Sequence, residues 1–267
     1  MHPMLNIAVR AARSAGNIIS RSFEQQDKVE VELKGTNDFV SNIDKAAEQA
    51  IIDTIQKAYP NHCIVSEECG VVDGSDQDYQ WIIDPLDGTT NFVKGIPHFA
   101  VSIALKVKGK LDQAVIYDPI RGEVFTASRG KGAQLNGSRI RVKQSKDLNG
   151  SVLATGFPFK KKHHSDAYFE MFKTMFVKTA DMRRAGSAAL DLAYVAAGRV
   201  DGYFEIGLKP WDTAAGELLV VEAGGLVTDF VGGHNHSQSG NIVAASTKVL
   251  KEILKDIRPH LGESLSK

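Results

Sequence analysis

Two aspartates three positions apart, within the segment Asp84-Pro85-Leu86-Asp87-Gly88, are the residues that most clearly indicate chemistry. An apolar run ends at Asp84, Pro85 cannot donate to a sheet ladder, and Gly88 frees the backbone to turn. Both carboxylates are therefore expected where a strand becomes a turn or helix. With the Leu86 carbonyl they can converge on one hard cation, since Mg²⁺ prefers oxygen ligands. A capped turn, in which both aspartates accept local backbone hydrogen bonds, is the alternative.

Further groups are expected around these two carboxylates. The backbone amides of Gly88, Thr89 and Thr90 would face an anion beside them. Glu67-Glu68 ends the preceding apolar strand, and Asp212 lies at the beginning of a helix far along the chain, where an N-cap is its simplest role. Four carboxylates brought together repel one another and raise their pKa values unless cations neutralise them, so the set indicates a metal requirement.

Taken together, these segments resemble the inositol monophosphatase family of magnesium-dependent, lithium-sensitive phosphatases. The resemblance spans almost the whole chain. The matching segments are Glu67-Glu68, Asp84-Pro85-Leu86-Asp87-Gly88-Thr89, Trp211-Asp212-Thr213-Ala214-Ala215-Gly216 and Glu222-Ala223-Gly224-Gly225. The resemblance implies a mixed α/β and α+β fold, namely a layered αβαβα sandwich, that is usually dimeric and holds its metals between an α+β half and an α/β half.

The resemblance also implies a ligand set for two to three Mg²⁺ ions. Glu67, Asp84 and the Leu86 carbonyl would hold the first ion, and Asp84, Asp87 and Asp212 would hold the second. A third, weaker ion is implied near Glu67.

Catalytic roles follow from the same resemblance. The hydroxyl of Thr89, hydrogen-bonded to Asp44, would help to orient or deprotonate the attacking water, with Glu67 as the third catalytic residue. Direct attack by water would leave no phosphoenzyme. The residues alone leave a simpler role open for Asp44, as the N-cap of the helix that follows it. Both roles are compatible only if the second oxygen of Asp44 is free.

Substrate contacts are expected mainly in the second half of the chain. The segment Gly186-Ser187-Ala188 reads as a turn into a helix, whose amides and small surface suit a polyol, although Ser187 is also a natural helix cap. Glu205 matches the family position that hydrogen-bonds the ring hydroxyls of inositol. The implied substrate set is completed by Asp87, Gly88, Thr89 and Asp212.

The leading hypothesis is a Mg²⁺-dependent phosphatase that hydrolyses myo-inositol 1-phosphate and related polyol phosphates such as glycerol 2-phosphate. Fructose 1,6-bisphosphate, a 3′-phosphonucleotide and histidinol phosphate remain alternative substrates, although Glu205 and the compact length favour inositol. A hypothesis of another class is a binding role in transcription. The resemblance is closest to a bacterial branch associated with ribosomal RNA antitermination as a Nus factor, with RNA polymerase and its accessory proteins as partners. Arg183 and Arg184 would serve a dimer or partner surface, or support the active site.

Composition narrows these classes. The 267 residues carry 32 basic and 32 acidic side chains and no net charge, which argues against a nonspecific coat for nucleic acid or anionic membranes. Cys63 and Cys69 are not spaced for a zinc ribbon or a disulfide scaffold. No apolar stretch approaches the roughly 18 residues of a membrane span, and the first residues do not resemble a signal peptide. Cytoplasm is the expected location.

The elements that must position these residues follow from periodicity. Helical spacing predicts helices over residues 4–24 and 45–59, and strands are predicted at 62–67, 79–83, 99–107, 111–117 and 123–127. Beyond the polar segment 145–150, strands at 152–155, 181–184, 202–205, 226–229 and 241–245 alternate with helices at 166–176, 187–197, 213–223 and 248–257. An α+β unit over residues 1–147 and an α/β unit over residues 148–267 are therefore predicted.

Overall fold

Helices and sheets alternate in five layers in the computed structural model, which describes residues 2–25, 29–35 and 38–266. The helices are α1 (Pro3–Phe23), α2 (Asn42–Ala58), α3 (Thr89–Val93), α4 (Ser165–Phe176), α5 (Ala188–Ala196), α6 (Pro210–Glu222), α7 (His236–Ser239) and α8 (Thr247–Ile257). Short 3₁₀ turns lie at Lys162–His164 and Arg258–His260.

The strands form three sheets. A small sheet pairs β1 (Val31–Gly35) with β2 (Asp38–Ser41). The first large sheet contains β3 (His62–Ser66), β4 (Gly70–Val72), β5 (Asp76–Asp87), β6 (Ala100–Val107), β7 (Lys110–Asp118), β8 (Glu123–Ser128), β9 (Gly132–Leu135) and β10 (Ser138–Arg139), in the order β10-β9-β8-β7-β6-β5-β3-β4. The second contains β11 (Val152–Thr155), β12 (Asp181–Arg183), β13 (Gly202–Glu205), β14 (Leu226–Thr228) and β15 (Ile242–Ala245), in the order β12-β11-β13-β15-β14.

Both large sheets are buried on both faces, and the two-residue period of the strands divides their side chains between different cores. On β5, Trp81 and Ile83 pack against α1 and α2, whereas Ile82 packs against α5 and α6. On β13, Tyr203 faces α5 and α6, whereas Phe204 faces α4 and α8. The layers are therefore α1/α2, first sheet, α5/α6, second sheet and α4/α8, which confirms the predicted αβαβα sandwich.

Most predicted elements are confirmed with ends that differ by a few residues. The strands β1, β2, β4, β9 and β10 and the helices α3 and α7 were not predicted, because each is five residues or shorter and carries little periodicity. β3 pairs with β5 in parallel, although antiparallel strands were expected throughout this half. This parallel pair matters for the site.

The predicted division at residues 147 and 148 stays a prediction. The hydrophobic cluster between the sheets contains residues from both sides of that boundary, such as Ile116 and Phe125 with Leu190 and Leu219. The two halves therefore share one core. Within the described part of the chain, no helix has the length and apolar character needed to cross a membrane.

Candidate active site

A β-bulge places Asp84 and Asp87 on the same face of β5. Residues three apart on a regular strand point to opposite faces. Here Asp84 pairs with Ser102 and Asp87 pairs with Ala100, so three steps along β5 match two steps along β6. The extra residue lies in the Pro85-Leu86 segment, and a bulge tolerates a proline that cannot donate to the ladder. The predicted change from strand to helix is confirmed, because β5 ends at Asp87 and α3 begins at Thr89, while Asp84 itself lies on the strand before the bulge.

The parallel pairing of β3 and β5 brings Glu67 beside these aspartates. Ser66 pairs with Ile83, and the Glu67 amide donates to the Ile83 carbonyl at 3.2 Å. Glu67 directly follows β3, and Asp84 lies near the carboxyl end of β5, so both are at the end of the parallel pair where α/β sheets commonly bind ligands. Both side chains line a pocket of about 300 Å³, together with Leu86, Asp87, Gly88, Thr89, Thr90 and Asp212.

Asp212 reaches the pocket from the first turn of α6. The helix begins at Pro210 and its N-cap is Lys209, so Asp212 is the third helical residue and not the N-cap. Its Oδ2 accepts the Lys209 backbone N–H at 2.7 Å. The capping interaction therefore occupies one oxygen of the carboxylate.

Asp44 also takes a different place from the predicted one. The N-cap of α2 is Ser41, and Asp44 is the third helical residue of a capping box. Oδ2 of Asp44 accepts the N–H and the O–H of Ser41 at 2.9 and 2.5 Å. Oδ1 accepts the Thr89 hydroxyl at 2.9 Å. The two roles that seemed to compete are thus compatible, because each uses its own oxygen.

The N-terminus of α5 holds Asp87 from the other half of the chain. Oδ2 of Asp87 accepts the Ser187 hydroxyl at 2.6 Å and the Ala189 N–H at 2.7 Å. Ser187 is also the N-cap of α5, as the alternative interpretation had it. Gly186 and Ala188 line the same pocket. Gly186 has φ +92°, and an added Cβ would lie 3.1 Å from Asn91, so the turn favours glycine.

Glu205 lies at the end of β13 and is 8% exposed, with its surface in the same pocket. The Tyr203 hydroxyl donates to Oε2 of Glu205 at 2.5 Å. Burial raises the pKa of Glu205 to about 7, against the effect of this hydrogen bond. Gly156 makes room for the carboxylate, since a Cβ there would lie 2.1 Å from it.

Charge repulsion and burial act together on the aspartates. Burial first, and then repulsion by Glu67, raise the pKa of Asp84 well above its ordinary value. Burial and repulsion by Asp87 do the same for the pKa of Asp212. Burial also raises the pKa of Asp87 to about 6, although Ser187 and Ala189 stabilise its charged form. The predicted rise is confirmed for these three aspartates, with burial as its first cause.

These oxygen donors suit a hard divalent cation. Asp84 accepts the Leu86 N–H on Oδ1 alone, and Asp212 uses Oδ2 alone, so the hydrogen bonds of the described residues leave one oxygen of each for a cation. In the described part of the chain, no three His, Cys, Asp or Glu side chains lie close enough together to ligate one ion. The structure therefore gathers the predicted ligands in one pocket but not at the ligand distances of a metal centre.

Asp191, which sequence reasoning did not single out, and Arg184, for which it left an interface or the active site open, are further charged residues of the pocket. Asp191 on α5 lines the pocket and is 3% exposed; a lone carboxylate in the apolar helix Ala188–Ala196 was the available signal. Arg184 also lines the pocket, with its guanidinium 5.0 Å from the centre of the Phe157 ring. Arg183 is exposed and pairs with Asp181. Of the two arginines, only Arg184 is placed to support the site.

Comparison with known proteins finds relatives that match the whole chain. The chain is 62% identical, over 100% of both chains, to the Nus factor SuhB of Escherichia coli strain K12. The solved extragenic suppressor protein SuhB of Bartonella henselae is 42% identical with a TM-score of 0.95, covering 97% of this chain and 100% of that one. An IMPase of Thermotoga maritima is 36% identical with a TM-score of 0.88, covering 98% and 100%. The model of the inositol monophosphatase family matches residues 1–261, and the chain belongs to this family.

Proposed function

We propose that the protein is a Mg²⁺-dependent phosphomonoesterase that hydrolyses myo-inositol 1-phosphate and related polyol phosphates. The observation that carries the proposal is the convergence of Glu67, Asp84, Asp87 and Asp212 on one pocket. The same pocket is lined by Thr89, whose hydroxyl donates to the buried Asp44. Buried acids with raised pKa values are typical of functional sites. Membership of the family supports phosphatase activity.

Two to three Mg²⁺ ions are proposed as the cofactor. Glu67, Asp84 and the Leu86 carbonyl are the proposed ligands of one ion, and Asp84, Asp87 and Asp212 are those of another, with a weaker ion near Glu67. Bound Mg²⁺ supplies Lewis acidity, which lowers the pKa of water and neutralises charge on the phosphoryl group. We expect inhibition by lithium, on the basis of the family.

Residues of the chain itself are proposed to orient the attacking water. When the Thr89 hydroxyl donates to Asp44, its lone pairs remain available to accept a hydrogen bond from the attacking water. The same hydroxyl lies 3.0 Å from the Leu86 carbonyl, and one proton cannot serve both acceptors fully. Engagement of that carbonyl elsewhere would therefore favour donation to Asp44. Glu67 is the third proposed catalytic residue.

The substrate proposal rests on the second half of the pocket. Glu205 can accept hydrogen bonds from vicinal hydroxyls, and Gly186, Ser187 and Ala188 provide a small surface beside it. Gly88 and Thr89 would contact the phosphate, and Asp87 and Asp212 complete the set. A carboxylate wall favours a polyol over a second phosphate group, which argues against a bisphosphate.

The experiment is to measure phosphate release from inositol 1-phosphate with and without Mg²⁺ for the wild type, Asp84→Asn and Asp212→Asn. We expect turnover that needs the metal and is lost in both variants. Glu170→Gln, at an exposed position of α4, is the matched control and should retain full activity. No metal-dependent turnover by the wild type on inositol 1-phosphate, glycerol 2-phosphate and the alternative substrates would refute the proposal.

A second role in transcription antitermination of ribosomal RNA is also proposed, because a relative identical at 62% of positions is named a Nus factor. RNA polymerase or other Nus factors are the proposed partners, and the protein is proposed to act as a homodimer. Arg183, on the exposed edge strand β12, stays a candidate for such an interface. If Asp87→Asn lacks turnover yet still captures polymerase components, the interaction does not require catalysis. Loss of capture with intact folding would link the two roles.

A further inference from the structure

Asp191 carries a carboxyl group that the proposed reaction leaves without a role. Its side chain is 3% exposed, and its accessible surface faces the pocket. Within the described residues, no hydrogen bond reaches this side chain. Buried polar groups in folded proteins almost always have a partner, and leaving one unsatisfied is costly. A ligand in the pocket would provide the missing partner.

The charges that act on Asp191 belong to the pocket. Glu205 and Asp87 repel its carboxylate, and Arg184 attracts it. Its neighbours along α5, Leu190 and Leu192, are fully buried in the core between the sheets. Asp191 is therefore the charged side chain that α5 places at the border of the substrate pocket.

Glu205 and Asp191 differ in how they are held. Tyr203 donates to Oε2 of Glu205, and the missing side chain of Gly156 provides the space for that carboxylate. Glu205 is thus positioned before a ligand binds, whereas Asp191 keeps its hydrogen-bonding capacity. Two adjacent hydroxyls of a cyclic polyol can each donate a hydrogen bond, one to each of two neighbouring carboxyl groups.

We propose that Asp191 is a specificity-determining residue, which accepts a hydrogen bond from one hydroxyl of a polyol phosphate while Glu205 accepts one from a neighbouring hydroxyl. The inference rests on the proposed phosphatase function and deepens it. It predicts that Asp191 matters for substrates with several ring hydroxyls and not for an aryl phosphate, which has none.

A purely structural role would have a different signature. Asp191 lies in the first turn of α5, where a carboxylate also interacts favourably with the helix dipole. Loss of that interaction would lower stability without changing the choice between substrates. The test must therefore compare two substrates in the same folded variant.

The experiment measures kcat and KM at saturating Mg²⁺ for inositol 1-phosphate and p-nitrophenyl phosphate, with wild type, Asp191→Ala and Asp191→Asn. For Asp191→Ala we expect kcat/KM for inositol 1-phosphate to fall about tenfold or more, mainly through KM, as for a lost hydrogen bond of about 1.4 kcal/mol. The value for p-nitrophenyl phosphate should stay within about twofold. Asp191→Asn keeps the shape and one acceptor oxygen, so it should lose less and fold where the alanine variant does not. Glu170→Gln again serves as the exposed control.

Gly156→Ala provides an independent arm, because its Cβ would displace the Glu205 carboxylate. Gly156→Ala should lower kcat/KM for inositol 1-phosphate. In the double variant with Asp191→Ala, the fold-loss in kcat/KM should be smaller than the product of the two single fold-losses. Equal losses on both substrates, no loss on either, or lower stability alone would overturn the role of Asp191 while leaving the phosphatase intact. Absence of metal-dependent hydrolysis of both substrates by the wild type would instead overturn the proposed function and this inference with it.

Discussion

Thr89 and Asp44 are joined by a hydrogen bond of 2.9 Å between the threonine Oγ1 and Oδ1 of the aspartate, 45 residues apart in sequence. The other oxygen of Asp44 accepts two hydrogen bonds from Ser41. One carboxylate therefore fixes the start of α2 and orients the hydroxyl at the start of α3. Helix capping and the proposed catalysis share a residue because its two oxygens are used separately.

Replacing Thr89 by Val removes the hydroxyl that is proposed to orient the attacking water and keeps the shape of the side chain. We expect kcat for inositol 1-phosphate to fall by about 10²–10⁴-fold, the usual contribution of such catalysis, with KM changed far less. Steady-state kinetics at saturating Mg²⁺ measure this. Ser41→Ala is the control for the capping function: it should lower the free energy of unfolding by about 1 kcal/mol and reduce kcat much less. Full turnover in Thr89→Val would contradict the role.

The long elements and the acidic site could be predicted from sequence because their signals are local. Apolar residues at helical spacing mark α1, and apolar runs bounded by turn residues mark β6 and β7. The bulge at Pro85-Leu86 could not be predicted, because it is defined by pairing with β6, and pairing is not a local property.

The same reasoning explains the errors at the helix starts. Ser41, Asn42 and Asp44 are all acceptable caps by residue type, and the choice depends on where the chain leaves β2. Asp191 was missed because an isolated carboxylate in a helix usually faces solvent. Its burial follows only from the position of α5 between two sheets.

The metal-free protein should lose stability as the pH rises. The pKa of Asp87 is raised from 3.8 to about 6 and that of Glu205 from 4.5 to about 7 in the folded state. Between its unfolded and folded pKa values, each of these carboxyl groups binds more protons in the folded state than in the unfolded state. The free energy of unfolding therefore decreases as the pH rises through this range. Urea unfolding in a chelator, from pH 5 to pH 8, measures this. Glu205→Gln should flatten the upper part of the curve, and a stability that rises across this window would contradict the assignment.

Addition of Mg²⁺ should reverse this loss at pH 8. A cation that binds only the folded state stabilises it by about 2.7 kcal/mol at a concentration 100 times its Kd. The effect should shrink towards pH 5, where protonated carboxyls compete with the metal. Thermal melts at several Mg²⁺ concentrations measure it. Asp84→Asn should show little stabilisation, and an equal shift in this variant and the wild type would show that Mg²⁺ acts elsewhere.

Ser187→Ala should shift the acid limb of the pH–rate profile upward. The Ser187 hydroxyl stabilises the charged form of Asp87 through a 2.6 Å hydrogen bond, so its removal raises the pKa of Asp87 further above about 6. Because a protonated Asp87 binds the metal less well, activity at limiting Mg²⁺ should then fall on the acid side of the profile and recover at alkaline pH. Profiles of kcat/KM at fixed Mg²⁺ test this. Ser187→Thr keeps the hydroxyl and should keep the wild-type profile; an unmoved limb in the alanine variant would refute the coupling.

Gly216 lies on α6 where this helix packs against α5. The start of α5 brings Ser187 and Ala189 to Asp87, and the first turn of α6 brings Asp212 into the pocket. In Gly216→Ala, the added Cβ would lie 2.5 Å from Leu192. Alanine is the better helix former by about 1 kcal/mol, but the overpacked contact should outweigh this and lower the free energy of unfolding by about 1–3 kcal/mol. Urea unfolding measures the change, and kcat should fall as the helices separate. Gly262→Ala, in open space, is the control. Leu192→Ala removes Cγ and Cδ1, two of the three Leu192 atoms that the added Cβ would meet. The double variant Gly216→Ala/Leu192→Ala should therefore lose less stability than the sum of the two single losses. Simple additivity would show that the helices do not meet at this point.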